Sequence, residues 1–500
     1  AAPGGPLAEA AALFAEGRFM EALDRYQAIL KRDPVNIAAL FGAGNVAKEL
    51  GEFQGALTLY QTVLQLDPGS IEASNNLGSL LRQHGHYDEA VEVFREAIGR
   101  KQDAPRLWLN LGATLAQRRG PDDNANARLF YEEALRLDPQ LAEAHANLAM
   151  LLRSMGELDQ SFVHFRKALE LKPDDNRLRL NHALTELAFG RLESGWRDYE
   201  VRHAPGMQKA IDYRHGLPRW QGEDLSGKSI LVSGEQGLGD QIIFASCLPD
   251  VIDRAARVVV DVEPRLVPLF RRSFPKADIR AYAMTQENGR CVFTYDWLKP
   301  KPDLASPIGS LPRYLRARIE DFPQPDQGRQ SYLRADAARV AAWRDKLAAL
   351  GPEPKIGICW RSGLQTPERK RFYTDLAAWG PILTLPGLRF VNLQYDECAE
   401  ELAVAAKEFG IAIADFSELD QRNDLDETAA LISALDMVVT APTAVQAMAG
   451  ALGVPTLLLG SSWLTFSSGR FPFQPSVTLV HGTPEMPMLD RAAAILQERF

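Results

Sequence analysis

The chain has 500 residues, of which 46% are hydrophobic and 24% are charged, and its formal net charge at pH 7 is −9. This length predicts about three domains, and the composition excludes a disordered, collagen-like or membrane-dominated chain. The acidic excess is spread along the whole sequence, so no basic half or tail is available to bind a phosphate backbone, and we expect no nucleic-acid partner.

The cysteines point to a reducing compartment. The chain contains four of them, Cys247, Cys291, Cys359 and Cys398, and they form no C-x-x-C pair. Neither a zinc cluster nor a redox motif is indicated, so we expect buried free thiols. No basic segment followed by an apolar one opens the sequence, and the uncharged stretch 437–469 is interrupted by prolines and glycines. We expect a cytoplasmic protein without a membrane span.

The first two fifths of the chain is periodic. Gly17, Gly51 and Gly85 recur every 34 residues, and each is followed by a small residue five positions later and by an aromatic one four positions further on. The glycine permits a turn between helices, the small residue lets two helices approach, and the aromatic residue fills their seam. The pattern resembles the tetratricopeptide repeat. We expect a helical tetratricopeptide domain over residues 1–200, with the fourth copy stretched by the insertion 120–123.

Four asparagines occupy the same position in successive repeats, namely Asn76, Asn110, Asn147 and Asn181. An asparagine inside a helix is unfavourable relative to alanine, so four in register require an explanation. Equivalent positions of a solenoid line one face, and amide side chains can both donate to and accept from the backbone of an extended peptide. Two interpretations stay open. Either the asparagines bind an acceptor polypeptide, or they join neighbouring helices to one another.

After the repeats the sequence takes on an α/β pattern. Residues 201–227 are expected to form a connector, and short apolar strands then alternate with helices, as in a parallel sheet. The strand 229–233 belongs to a lobe over residues 228–350, and a second lobe covers residues 351–500. The expected fold class is therefore a helical solenoid followed by an α/β module with two Rossmann-like lobes.

Three of the predicted strands end in loops suited to a ligand, since ligands of parallel sheets bind beyond the carboxyl ends of strands. The loop 234–240 is rich in glycine and leads into a helix, but it does not form a G-x-G-x-x-G nicotinamide fingerprint. The loop 360–363 is followed by the cations 369–371, which suit an anionic donor or leaving group. The loop 440–444 offers hydroxyls and helix amides to a phosphate. The structural alternatives are a solvated basic loop and plain helix caps.

These loops, together with the stretch 449–453, resemble bacterial tetratricopeptide proteins that end in a GT-B glycosyltransferase module. That module is similar to heptosyltransferases and more distantly to O-GlcNAc transferases, and the variant 358–363 looks most like flagellin-modifying glycosyltransferases. The resemblance implies an inverting, metal-independent protein O-glycosyltransferase. It would move a CMP-activated nonulosonic acid to serine or threonine of a flagellin-like acceptor held by the repeats. No cofactor is implied, because the nucleotide sugar is a substrate.

The resemblance also assigns roles to residues. The first lobe would face the acceptor and the second would bind the nucleotide sugar. Asp240 matches the aspartate of heptosyltransferases and is the candidate base, with a helix N-cap as its alternative role. The asparagines of the repeats would bind the acceptor, and no metal ligand is predicted. The residues expected to bind the donor are Gly237, Gly239, Gln241, Trp360, Arg361, Ser362, Gly363, Arg369, Arg371, Tyr373, Thr440, Pro442, Thr443 and Ala444.

The sequence departs from the heptosyltransferase pattern at three positions. Pro442 stands where an aspartate is usual and Ala447 where a histidine is usual, which argues against a heptose donor. Arg361 replaces a small residue and favours another anion, such as a sugar carboxylate. Two alternatives stay open, a UDP-GlcNAc-using O-glycosyltransferase and a repeat adaptor with an inactive glycosyltransferase module. The adaptor explains the missing aspartate and histidine but not the cationic run 369–371.

Overall fold

A computed structural model describes the chain except for a few short segments. The described residues are 5–207, 210–235, 237–287, 290–324, 331–363, 373–460, 462–466, 468–483 and 486–500. They form two compact units, Ala1–Leu178 and Arg179–Phe500. Within the described residues, every strand belongs to the second unit.

The first unit consists of helices that pack in successive pairs along the chain. Its helices are α1 (Pro6–Ala15), α2 (Phe19–Leu30), α3 (Ile37–Glu49), α4 (Phe53–Leu66), α5 (Ile71–Gln83), α6 (Tyr87–Arg100), α7 (Pro105–Arg118), α8 (Asp123–Leu137), α9 (Ala142–Ser154) and α10 (Leu158–Leu171). Helix α11 (Asn176–Ala188) crosses the boundary between the units, and α12 (Leu192–Tyr199) lies in the second.

The repeat residues explain why these helices pair. Gly17 and Gly51 have φ angles of 75° and 78°, a left-handed conformation that glycine adopts without steric cost. Ala90 and Phe94 are fully buried, and the Phe94 ring lies so close to Gly78 of the preceding helix that a Cβ there would overlap it. The helical solenoid predicted from the repeat period is confirmed.

In its described residues, the second unit contains three sheets and the remaining helices. Its strands are β1 (Ile211–Tyr213), β2 (Ser229–Ser233), β3 (Arg257–Val262), β4 (Asp278–Ala281), β5 (Ala283–Glu287), β6 (Arg290–Thr294), β7 (Leu304–Pro307), β8 (Lys355–Cys359), β9 (Arg389–Asn392), β10 (Met437–Thr440), β11 (Thr456–Leu459) and β12 (Val477–Val480). Its further helices are α13 (Leu238–Phe244), α14 (Leu248–Arg254), α15 (Val267–Ser273), α16 (Pro312–Leu315), α17 (Ala337–Ala348), α18 (Gly380–Leu383), α19 (Ala399–Phe409), α20 (Leu425–Ser433), α21 (Ala444–Ala451) and α22 (Met488–Arg499).

The two larger sheets are parallel throughout. One has the strand order β4-β3-β2-β7 and the other β12-β11-β10-β8-β9. Strands β8, β10 and β11 are buried over their whole length, as strands covered by helices on both faces must be. The third sheet has the order β1-β6-β5, in which β6 pairs parallel with β1 and antiparallel with β5. The predicted α/β module is confirmed.

The start of the second unit is fixed by a buried tryptophan. Trp196 on α12 is 1% exposed, and its Nε1 donates a hydrogen bond to the carbonyl of Arg316 at 3.1 Å. The rings of Phe244, Phe466 and Phe473 meet it edge to face. Such aromatic contacts add about 0.5–1.5 kcal/mol each beyond the area that they bury, so α12 is held firmly against this core.

The sequence predicts that the cysteine thiols are free and buried. All four cysteines are free, three of them are buried, and Cys398 is partly exposed. Burial raises the pKa of Cys247 and Cys359 to about 11, so both are protonated at neutral pH. As for membranes, no helix in the described part of the chain is long and apolar enough to cross one.

Replacing Gly78 with alanine should destabilise the solenoid, because the new methyl group would overlap the buried Phe94 ring. We expect the free energy of unfolding to fall by about 1–3 kcal/mol, the usual cost of an overpacked core, as measured by urea denaturation of the full chain. Gly99→Ala is the matched control, since Gly99 also lies in a helix but has nothing within 4 Å of an added Cβ. Equal effects of the two substitutions would contradict the close helix contact.

Candidate functional site

In each of the two parallel sheets, the strand order reverses beside the strand that comes first along the chain. Strand β2 lies between β3 and β7, and strand β8 lies between β9 and β10. The chain leaves such a strand toward one side and later returns on the other side, so a crevice opens beyond the carboxyl ends at that point. The loops after β2 and β8, both predicted from sequence to meet a ligand, therefore lie at the two reversal points.

In the second lobe, groups from three strand ends meet at this crevice. The Cys359 Sγ, at the end of β8, lies 3.6 Å from Gln394 Oε1 after β9 and 3.7 Å from Thr443 Oγ1 after β10. The hydroxyl groups of Thr440 and Thr443 are 3.3 Å apart. The backbone amide of Arg361 donates to Gln394 Oε1 at 3.2 Å. The loops 360–363 and 440–444 thus line one crevice.

Polar groups with spare hydrogen-bonding capacity face this second-lobe crevice. Gln394 is 3% exposed, and its Nε2 is buried without a partner among the described residues. Helix α21 begins after Thr443, whose side chain makes no cap hydrogen bond, so the first backbone amides of the helix remain available. The Tyr395 hydroxyl donates to Ser362 Oγ at 3.1 Å. Gln394 and Tyr395 were missed in the sequence, although both lie just after β9.

Arg361 is already neutralised within the protein. Its Nε donates to Glu401 Oε1 at 3.0 Å, its Nη2 also bonds Glu401, and Nη2 donates to the Glu397 carbonyl at 2.7 Å. The hydrogen bond to Glu401 raises the pKa of Arg361. Trp360, which is fully buried, donates from Nε1 to the same carboxylate at 2.8 Å. An anion that binds Arg361 must therefore compete with Glu401.

The first-lobe crevice is occupied by a buried ion network. Glu235, directly after β2, accepts hydrogen bonds from Arg202 Nη2 at 2.8 Å and from the Gly309 amide at 2.9 Å. Arg202 also donates to Ser310 Oγ and to Glu200. Burial by itself raises the pKa of Glu235, but the Arg202 guanidinium outweighs burial and lowers that pKa to about 2. The charge of Glu235 is therefore balanced within the chain itself.

Asp240 lies in the first turn of α13 with an exposed side chain. Its carboxylate is folded over Gly237, where a Cβ would overlap it. A carboxylate is favoured there by the helix dipole. A Cβ on Gly239 would lie 3.8 Å from the Ala447 Cβ, so α13 packs against α21. Asp240 thus projects from a helix that contacts the second lobe.

The remaining predicted donor residues fall into three groups. Gln241 is fully buried, and its amide bonds the backbone of Glu235 and Glu263, so it supports the loop. Tyr373, Pro442 and Ala444 are half-buried. Residues 369–371, with Arg369 and Arg371, lie outside the described residues.

In the solenoid, two of the four predicted asparagines join neighbouring repeats. Asn76 Nδ2 donates to Asn45 Oδ1 at 2.8 Å, and Asn110 Nδ2 donates to Asn75 Oδ1 at 2.8 Å. The interpretation that asparagines connect helices therefore holds for Asn76 and Asn110. Their binding of an acceptor stays a prediction.

The other two asparagines differ from this pair. Asn147 is half-buried on α9, and no side-chain hydrogen bond joins it to another residue in the described ranges. Asn181 lies on α11, beyond the boundary between the two units. The four residues therefore do not share one structural setting.

Known proteins resemble this chain in both of its units. Family models described as tetratricopeptide repeat match residues 7–71, 47–117 and 142–175. Protein FlbA of Caulobacter vibrioides is 35% identical over 414 residues, which are 80% of this chain and 68% of FlbA. An alignment of that length exceeds either compact unit, so it includes residues of both.

Solved structures match about a third of the chain. A thermophilic tetratricopeptide protein of Thermus thermophilus is 27% identical and covers 36% of this chain and 97% of its own, with a TM-score of 0.32. MamA of Desulfovibrio magneticus is 22% identical and covers 35% of this chain and 99% of its own, with a TM-score of 0.30.

The Glu235 network should make stability depend on pH. Because the folded pKa of Glu235 is lowered, its stabilising effect is complete above the unfolded pKa and is lost as the pH falls toward 2. Glu235→Gln should lower the free energy of unfolding at pH 7 by up to about 3–5 kcal/mol, since the buried Arg202 would keep only Glu200 as a carboxylate partner. The variant should also lose less stability than the parent between about pH 5 and 2. Denaturation at several pH values measures both effects.

Glu287→Gln is the control for this experiment. Glu287 also pairs with an arginine, Arg214, but both side chains are nearly half exposed. Exposed ion pairs contribute about 0–1 kcal/mol, so this variant should remain close to the parent. If Glu235→Gln loses stability at acid pH just as the parent does, the lowered pKa of Glu235 is not what makes the parent sensitive to acid.

Proposed function

We propose that this chain, which belongs to the family of protein FlbA of Caulobacter vibrioides, is a glycosyltransferase that acts on a protein. The observation that carries the proposal is the convergence of the ends of β8, β9 and β10 on one crevice at the reversal point of a parallel sheet. A buried amide nitrogen without a described partner, Gln394 Nε2, lines that crevice. Burying such a group is costly, and a polar ligand would supply the missing partner.

In the proposed complex a nucleotide sugar occupies the second-lobe crevice. Its phosphate lies at the N-terminus of α21, where the Thr443 hydroxyl and the first helix amides can donate to it. Gln394, Ser362 and Tyr395 offer polar groups to the ribose or base. We favour a CMP-activated nonulosonic acid over UDP-GlcNAc because of the family resemblance and because the cations 369–371 suit an anionic donor.

The reaction that we propose is an inverting transfer. The Asp240 carboxylate takes the proton of a serine or threonine hydroxyl on the acceptor, and the oxygen attacks the anomeric carbon. The bond from that carbon to the nucleotide phosphate breaks, and the phosphate leaves with the electron pair. Support comes from the exposure of Asp240 and from the packing of α13 against α21, which carries the proposed phosphate site.

The proposed acceptor is a flagellin-like protein held by the solenoid, in the cytoplasm. Tetratricopeptide repeats present extended surfaces suited to a polypeptide, and a transferase of small molecules has no use for such an array. Asn147 offers a half-buried amide to the acceptor, while Asn76 and Asn110 each give one donor hydrogen to a neighbouring repeat.

A repeat adaptor with an inactive module is the competing function. Two observations favour it, namely the pairing of Arg361 with Glu401 and the absence of an aspartate at Pro442. The two functions differ in whether the second-lobe crevice binds a nucleotide and whether Asp240 is needed for transfer.

Thr443→Val should weaken nucleotide binding, because valine keeps the shape of threonine but removes the hydroxyl at the proposed phosphate site. A hydrogen bond to a charged group contributes about 1.5–3 kcal/mol, so we expect the dissociation constant to rise about 10- to 100-fold. Calorimetry with CMP, UDP, ADP and GDP on the full chain measures this. Thr478→Val is the control, on the exposed side of β12. If the wild type binds none of the four nucleotides, the transferase proposal fails.

Asp240→Asn should strongly slow transfer and leave nucleotide affinity unchanged, since the base contacts the acceptor and not the nucleotide. General bases contribute about 100- to 10,000-fold to rate, and we expect a loss in that range. The readout is the intact mass of purified flagellin after incubation with enzyme and donor. Asp253→Asn, an exposed aspartate on α14, should behave as the parent. Transfer by Asp240→Asn within a few-fold of the parent would reduce Asp240 to a helix cap.

A further inference from the structure

The first two helices of the second unit bring together one histidine and two carboxylates. His182 and Glu186 are four residues apart on α11 and so share one face of the helix, and Asp198 comes from α12. One ligand atom of each residue lies within 4.8 Å of the others. The distance from His182 Nε2 to Glu186 Oε1 is 4.0 Å.

Glu186 is placed where a carboxylate needs a partner. The residue is only 8% exposed, and its Oε2 is buried without a hydrogen-bond partner among the described residues. A buried carboxylate oxygen without a partner is costly. The Asp198 carboxylate adds a second negative charge nearby. Arg197 Nε lies 3.4 Å from Asp198 Oδ1. A cation between the two carboxylates would remove both costs.

We propose that His182, Glu186 and Asp198 bind a divalent first-row transition metal, with Zn²⁺ as the ion that fits best. Imidazole nitrogen and carboxylate oxygen are ordinary zinc ligands, and three protein ligands leave a fourth position for water. Ca²⁺ fits poorly, because it takes six to eight oxygen ligands, and Mg²⁺ prefers oxygen in a strict octahedron.

None of the three ligands is among the residues to which we assign a role in the proposed transfer. Its three ligands come from α11 and α12, so a bound ion would tie these helices together at the start of the second unit. The sequence gives little sign of the site, because a histidine and a glutamate four residues apart are common on helices and Asp198 follows only in the next helix.

The test uses the full chain, stripped with a chelator and dialysed, and titrated with Zn²⁺ alone in a calorimeter. We expect one equivalent to bind. Loss of a residue around a zinc ligand costs about 10- to 100-fold in affinity, so loss of a ligand itself in Glu186→Gln or His182→Ala should cost at least as much. His86→Ala is the matched control, because His86, just before α6, also contacts a glutamate, Glu89, at 2.8 Å, but both side chains are exposed. It should leave binding unchanged.

A Co²⁺ titration identifies the ligands independently. We expect weak visible bands of nitrogen and oxygen coordination in the wild type and their loss in Glu186→Gln. The proposal is overturned if no stoichiometric ion binds, if Glu186→Gln and His182→Ala bind as the parent does, or if an intense sulfur-to-cobalt band assigns the ion to cysteines. Should either variant lose its native circular dichroism, Asp198→Asn, whose side chain is 28% exposed, supplies the same readout.

Discussion

The parallel direction of the strands in both larger sheets constrains where polar groups of the module can gather. Neighbouring parallel strands end at the same edge of a sheet, and helices cover the faces, so polar side chains collect beyond the carboxyl ends. This is why Cys359, Gln394 and Thr443 meet although long stretches of chain separate them. A crevice for a ligand is expected where the strand order reverses, beside β2 and beside β8.

The two crevices are lined by different kinds of chemical groups. Beside β2, Glu235 and Arg202 are paired and nearly buried, with exposed side-chain fractions of 14% and 10%, so the loop that leads into α13 is fixed by internal charge. Beside β8, the described residues of the lining offer hydroxyls, a thiol and an amide, and the charge of Arg361 is already paired to Glu401. One crevice therefore holds the backbone that carries Asp240, and the other keeps neutral hydrogen-bonding groups for a ligand.

The architecture could be predicted from sequence because it rests on local periodicity. The 34-residue repeat and the short apolar strands each reflect a single helix pair or strand, and both predictions agree with the structure. Side-chain partners could not be predicted, because they depend on which strand ends become neighbours. Trp360 and Gln241 were expected to meet the donor, yet Trp360 bonds Glu401 and Gln241 bonds the backbone of its own loop. Gln394 lacked any motif and was missed.

The asparagines of the solenoid show that structural and binding roles need not exclude each other. An amide side chain offers two donor hydrogens and one acceptor oxygen, and the bond from Asn110 to Asn75 uses one hydrogen of Asn110 and the oxygen of Asn75. The Asn110 amide therefore retains its second hydrogen and its oxygen. The inter-repeat bond also fixes the plane of the amide, and a group that is already ordered loses less entropy when a peptide binds. A connection between repeats is thus compatible with, and favourable for, recognition of a polypeptide by the same residue.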